Sequence, residues 1–332
     1  MRKFRLLFFS LFLIPLFYAC SNKLDVNAKW QDITVVYVLL NQHSDTNFVK
    51  ITKAFLGEGN ALTFAKIPDS SNYPDKLDVK LEEYDVSSNI PVLKNTYPLD
   101  TITIKNKQAG DSIFYYPYQL VYYTLVKLDV DYSYKLKITV KKTGKVITSQ
   151  TLLVNPMNIT DPHKGGVVSI LPNRGISLQF YSAKNGRRYQ LLIRLHYSEY
   201  SSSDTATKSV EWIVFNDFLS ASLAGGDKEE PFYTGDGLYS VMKNQIPVNH
   251  NVTRHANYVD FLFTVAGDDL NTYMNVTAPS NSIIQERPTY TNIINGIGLF
   301  STILTTELDS LRPSQVMRDS LKTNQYTKDL DF

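Results

Sequence analysis

Leu136-Lys137-Ile138-Thr139-Val140, then Thr143-Gly144-Lys145, then Val146 to Val154, is the stretch on which the fold reading turns. Leu136, Ile138 and Val140 alternate with Lys137 and Thr139, and side chains two apart on a strand share a face. A turn centred on glycine leads into a second run rich in β-branched residues, so the segment predicts a hairpin. A hairpin with one apolar and one polar face needs a second layer to cover the apolar one.

Upstream, the same pattern recurs. Leu77-Asp78-Val79-Lys80-Leu81 alternates cleanly, and so does Phe48-Val49-Lys50-Ile51-Thr52-Lys53. Ile33 to Leu40 is a continuous aliphatic and β-branched run, readable as a strand buried on both faces. Thr101 to Ile104 and Ser112 to Tyr118 are shorter strand candidates, and Asn60 to Ala65 suits one or two helical turns. Strands about every 10–15 residues, with Pro, Asn and Gly between them, predict a sandwich of immunoglobulin or fibronectin type over residues 30–155.

Downstream, Asn155 to Gly166 is rich in Asn, Pro and Gly and reads as a linker. Strands resume at Val167 to Ile170, Ile176 to Ser182 and Tyr189 to Tyr197, with Asn185-Gly186 as a hairpin signal between the last two. Leu191, Ile193 and Leu195 share one face of the third strand; Arg194 and His196 share the other. Ser198 to Thr207 is a polar loop, and Ser209 to Phe218, Tyr258 to Val265 and Ile297 to Leu304 are further strands. Gly237 to Gln245 before Pro247, Asp268 to Thr277 before Pro279, and Ser314 to Lys328 after Pro313 suit helices. The expected fold class is therefore mainly β: an immunoglobulin- or fibronectin-like β-sandwich, then a second β-rich domain with a few short helices over residues 156–332.

The first nineteen residues stand apart. Arg2, Lys3 and Arg5 precede an apolar run from Leu6 to Tyr18, closed by Ala19 and then Cys20, the one cysteine in 332 residues. That is the layout of a secretory signal; the run is too short to span a bilayer and is broken by Ser10 and Pro15. The signal holds three of the 34 basic residues, leaving 31 against 32 acids. A remainder near neutrality carries no basic field for nucleic acid. With Cys20 committed elsewhere, no intrachain disulfide is available. The chain carries 22 tyrosines against two tryptophans, which suits strands and exposed contact surfaces.

Ala19-Cys20 at the end of this signal resembles the lipobox of bacterial lipoproteins. The resemblance implies cleavage before Cys20, acylation of Cys20, and a tether over residues 20–29 that joins the protein to the membrane. Several acyl chains, at about 0.8 kcal/mol per buried methylene, anchor stably. The run Pro288-Thr289-Tyr290-Thr291-Asn292-Ile293-Ile294-Asn295-Gly296-Ile297-Gly298-Leu299-Phe300 is similar to the ending of an uncharacterised family of Bacteroidota outer-membrane lipoproteins of unknown function. That resemblance spans most of the chain. It implies an outer-membrane lipoprotein with an immunoglobulin-like first domain, and no activity.

Few residues carry chemistry by spacing alone. His43, His163, His196, His250 and His255 fall in no HExxH pattern and read as solvated loop histidines, so neither a metal nor a cofactor is expected. Asp129 and Asp131 are two apart: on a strand both carboxylates would share a face and could hold Ca²⁺ or act as an acid pair, whereas a turn uses Asp at the same places without further role. Tyr290 and Gly298 are candidates for a ligand or partner surface. A glycine inside a strand signals close approach of another backbone or of a ligand. No phosphate loop and no G-x-S-x-G elbow occurs. The reading is a non-enzymatic envelope protein that binds a glycan, peptide or outer-membrane protein through tyrosine-bearing loops. The alternatives are a hydrolase acting on polysaccharide or peptidoglycan, with carboxylates in the second domain, and a structural spacer.

Overall fold

The computed structural model describes residues 31–56, 61–65, 67–105, 118–279 and 289–332. Cys20, the signal and the tether lie outside them, as does the strand expected over residues 112–117. Among the described residues the chain begins with β1 (Gln31–Leu40) and β2 (Asn47–Leu56), then two short helices, α1 (Ala61–Ala65) and α2 (Pro68–Ser71). There follow β3 (Asp78–Asp85), β4 (Val92–Pro98), β5 (Asp100–Ile104), β6 (Gln119–Thr124), β7 (Tyr132–Val140) and β8 (Lys145–Leu152).

The hairpin read from residues 136–154 is β7–β8, closed by the pair Val140↔Lys145 with Gly144 at φ 70. Leu136, Ile138, Val140 and Ile147 turn inward and meet Val36, Val38, Leu40, Val49, Ile51, Val79 and Leu81 in one core. The strand order is β1-β2-β6-β5 in one layer and β4-β3-β7-β8 in the other, the two-sheet arrangement of an immunoglobulin-type sandwich. Tyr134, near the start of β7 and fully buried, ties down the preceding corner. Its hydroxyl accepts a hydrogen bond from the Asp129 backbone N–H (2.8 Å) and donates one to Glu83 Oε1 (2.8 Å). That is the tyrosine-corner device of such sandwiches.

The second unit runs β9 (Asn158–Asp161), β10 (Val167–Val168), β11 (Gln179–Tyr181), β12 (Gly186–Tyr200), β13 (Thr205–Leu219), β14 (Lys228–Glu229), α3 (Asp236–Gln245), β15 (Thr253–Gly267), α4 (Asp268–Thr277), β16 (Ile297–Pro313) and α5 (Gln315–Thr323). Leu191, Ile193 and Leu195 of β12 are wholly buried, against Phe261 and Phe263 of β15, Tyr239 and Met242 of α3, and Met317 and Leu321 of α5. None of the described helices is long and apolar enough to cross a membrane.

The units are joined through β16. Its first six residues run parallel to β1, from Val35↔Ile297 to Leu40↔Thr302. From Ile303 onward it runs antiparallel to β15, from Ala266↔Ile303 to Val259↔Leu311. One hydrogen-bonded sheet, ordered β13-β12-β15-β16-β1-β2-β6-β5, therefore passes through both units. The two cores divide between Leu153 and Val154, but the first also takes Ile293 and Phe300 from the end of the chain. Residues 30–155 are thus joined in their own sandwich by residues from beyond the expected boundary.

Several local expectations differ from what is seen. β1 is buried on one face only, with Tyr37 and Leu39 exposed on the other. The polar loop expected over Ser198 to Thr207 shrinks to residues 201–204, because β12 runs to Tyr200 and β13 starts at Thr205. Asn155 to Gly166 is not a free linker: Asn155 N–H donates to the Lys184 carbonyl (2.9 Å), and β9 pairs with β11. Asn185 does turn the chain with φ 64, but β11 pairs with β9 and β14 instead of folding back on β12. The reason lies in residues 223–227, whose backbone bonds to Ser182 and Asn185 and occupies that edge.

Candidate ligand-binding site

A cleft of about 350 Å³ opens in the first domain between the α2 segment and the sheet strands β2, β5 and β6. That is within the range of small-ligand pockets, about 300–1,000 Å³. Its elements follow from local sequence. Pro68 begins α2, where a missing N–H costs nothing, and Asn72, Tyr73 and Pro74, just past its end, line the cleft. Tyr73 is held by a 2.7 Å hydrogen bond between its hydroxyl and Thr34 Oγ1, and the Lys53 ammonium sits 5.4 Å from its ring centre. Tyr122, on β6, is buried and accepts a hydrogen bond from the Leu77 backbone N–H (2.8 Å). Tyr118, just before β6, is half exposed.

The lining thus comprises three tyrosines with Ile51, Leu77 and Leu120; Asp69, Asn72 and Thr103 supply polar groups. Burial pushes the phenols of Tyr73 and Tyr122 above their ordinary range. They stay neutral at physiological pH; Tyr73 keeps part of its ring accessible as an amphipathic face, whereas Tyr122, 2 % exposed, closes the cleft from within. Rings set beside a carboxylate, an amide and a hydroxyl are chemically suited to a molecule with C–H faces and hydroxyl edges. That description fits a sugar.

The residues singled out from sequence lie elsewhere and form no common site. Asp129 and Asp131 are exposed in the turn before β7, not on a strand, and the Asp129 carboxylate accepts from the Asp131 N–H (3.0 Å). The pair shapes the corner over Tyr134. No group of three or more potential metal ligands occurs among the described residues. Tyr290 is half-buried and its hydroxyl donates to Asp269 in the first turn of α4. Burial, then this bond, pushes its phenol upward. Gly298 has φ +118, and a Cβ there would fall 2.0 Å from the Val36 carbonyl oxygen. The close neighbour is backbone, the structural alternative of the two expected at such a glycine. Asn292 of the same motif clamps Phe300 from both sides, donating to its carbonyl (2.7 Å) and accepting from its N–H (3.0 Å). The C-terminal motif thus builds the junction between the units.

Two polar constellations had no signal beyond residue type. On the outer face of the second sheet, His196 Nε2 bonds Asp260 Oδ2 (2.7 Å), and Asp260 Oδ1 accepts from the Ser310 N–H (2.8 Å). The imidazole stacks on Tyr258 at 4.2 Å between ring centres. Arg254, almost wholly buried, donates from Nε to Glu199 Oε1 (2.8 Å) and from Nη1 to the Leu330 carbonyl (2.6 Å), while Glu199 also pairs with Lys208. Arg194 and His196 were placed on the polar face by alternation, but their partners come from other strands. No protein-family model matches this chain, and no curated protein matches it.

Proposed function

We propose that this chain is a lipid-anchored protein of the bacterial outer membrane that binds a neutral glycan, without turnover, as an accessory component of an outer-membrane complex. The observation that carries the binding is the convergence of Tyr73, Tyr118 and Tyr122 on one cleft with Asp69, Asn72 and Thr103. Anchoring rests on the sequence around Cys20. Aromatic faces bury the apolar side of a sugar ring, and the polar side chains replace the water on its hydroxyls.

The test is calorimetry with a panel of neutral oligosaccharides on the wild-type chain and on Tyr118→Ala and Asp69→Ala. Both positions are exposed, so these variants keep the fold. Each should weaken binding about tenfold or more, since a lost stacking face or charge-assisted hydrogen bond is worth on the order of 1–3 kcal/mol. Wild-type affinity in both variants, or no glycan bound at all, would refute the reading.

The continuous sheet through β16 favours a second reading, a stiff spacer. A spacer would co-purify with a membrane protein and bind no glycan. The His196–Asp260 pair is the observation that keeps the hydrolase alternative; its signature would be turnover of a bound glycan, lost in His196→Ala.

A further inference from the structure

A second cavity, of about 540 Å³, lies in the other domain, between α5 and the ends of β12 and β15 away from the junction with β1. Arg254, His255, Arg318 and Lys322 line it, with Tyr200 and Phe332 as aromatic walls and no Asp or Glu among the lining residues. Arg254, Arg318 and Lys322 thus bring three permanent positive charges to one pocket with no acidic side chain in its lining.

The cations are not equivalent. Arg254 is satisfied: Glu199, the Leu330 carbonyl and the Pro247 carbonyl take its donors. Arg318 is not. Its side chain has no hydrogen bond or ion pair among the described residues, and its Nε is closed to solvent without a partner. A buried donor on a charged group left unpaired is costly, so such a group normally meets an acceptor. Lys322 lies four residues further along α5, on the same helical face, and is likewise without an ion pair among the described residues. Three carboxylates on adjoining segments are engaged elsewhere: Glu199 by Arg254 and Lys208, Asp319 by the Gln315 amide (2.9 Å), and Asp331 by His250 (2.8 Å).

We propose that this pocket binds a small organic oxyanion, a carboxylate or phosphate monoester, whose oxygens bridge Arg318 and Lys322 and whose body lies between Tyr200 and Phe332. A guanidinium offers a planar pair of N–H donors that matches two oxygens of one oxyanion, and an ammonium adds a second charge without geometric demand. The aromatic walls and the volume exceed what a bare inorganic ion would use. This site is separate from the tyrosine cleft, which carries no cationic lining, and neither proposal depends on the other.

The test is calorimetry on the full chain with glucuronate, glucose 6-phosphate, inorganic phosphate and glucose. Saturable binding of glucuronate or glucose 6-phosphate is expected, the stronger of the two naming the anion, with no binding of glucose. Arg318→Gln should lower affinity tenfold or more, Lys322→Gln several-fold, and binding should weaken as salt rises. Should Arg318→Gln lose its fold, as judged by its melting curve, Lys322→Glu at an exposed position reads the same loss. The proposal is overturned if neither organic anion binds at millimolar concentration. It is equally overturned if the folded variants bind like wild type, or if inorganic phosphate binds as tightly as glucose 6-phosphate.

Discussion

Gly298→Ala is the substitution whose cost can be worked most directly from the structure. Gly298 faces Val36 in the parallel pairing of β16 with β1. An added Cβ would lie 2.0 Å from the Val36 carbonyl oxygen, 2.9 Å from its carbonyl carbon and 3.0 Å from its nitrogen. All three are backbone atoms, so no side chain can swing aside; β1 itself must move, against Val35↔Ile297 and Tyr37↔Leu299 on either side. The φ of +118 adds strain, because a residue with a Cβ rarely adopts it. Backbone strain of about 1–3 kcal/mol and overpacking of about 1–3 kcal/mol together come to roughly 2–6 kcal/mol. That is a large part of the 5–15 kcal/mol or so that holds a domain. At roughly 2–4 °C per kcal/mol for units of 150–250 residues, melting should fall by about 5–20 °C. The assay is denaturant unfolding followed by circular dichroism and, in a Trp30→Phe background, by the fluorescence of Trp212, which lies on β13 in the second unit. Because β16 serves both units, both probes should shift. Glycan affinity per folded molecule should stay unchanged. A midpoint within about 0.5 kcal/mol of wild type would refute the close backbone approach.

Phe300→Ala, which empties a wholly buried ring from the first core, should cost about 3–5 kcal/mol, measured by the same unfolding curves. Tyr134→Phe should cost about 1–3 kcal/mol by stranding the Asp129 N–H, whereas Asp129→Ala should cost about 1 kcal/mol or less, because its carboxylate supports only an exposed turn. Burial raises the Glu199 carboxyl, but hydrogen bonds from Lys208 and Arg254 outweigh it and leave its pKa below the ordinary value. The stability it contributes is therefore complete above about pH 4.3 and lost as pH falls through its lower folded value. Glu199→Gln should show a shallower acid transition than wild type by thermal melts across pH 2–6. Cys20→Ser should release the protein from membranes and abolish incorporation of labelled fatty acid; a variant that still floats with membranes would defeat the anchor.

Strands announced themselves wherever one face is dry and the other wet. Leu136, Ile138 and Val140 alternate because the sandwich buries one side of β7, and Leu191, Ile193 and Leu195 do so on β12. The reach of β16 was less legible. Beyond Leu304 the residues Thr305, Thr306, Glu307, Asp309 and Ser310 carry a polar outer face, and Ser310 interrupts the strand with φ 59. Its parallel pairing with β1 joins segments some 260 residues apart and leaves no local mark. Asn185 illustrates the converse: its turn geometry was readable, but the partner of the preceding strand is decided by residues 223–229. The tyrosine cleft was hidden for the same reason. An excess of tyrosine is visible in composition, but Tyr73 reaches the site from the end of α2, and Tyr118 and Tyr122 from β6 and its approach. Only the sheet order brings them together. The pair Asp129 and Asp131 stayed open between two readings because spacing of two suits a strand face and an Asx turn equally; the turn is what the structure has.

The most direct test of the account is a titration of the isotope-labelled chain with a neutral oligosaccharide that it binds, followed by heteronuclear NMR. Saturable shifts should be confined to the cleft: Ile51, residues 69–77, Thr103 and residues 118–122. They should disappear in Tyr118→Ala while the rest of the spectrum is preserved. Shifts that cluster instead on the His196 face, or a spectrum unmoved by every neutral glycan, would contradict the claim that the tyrosine cleft is the binding site.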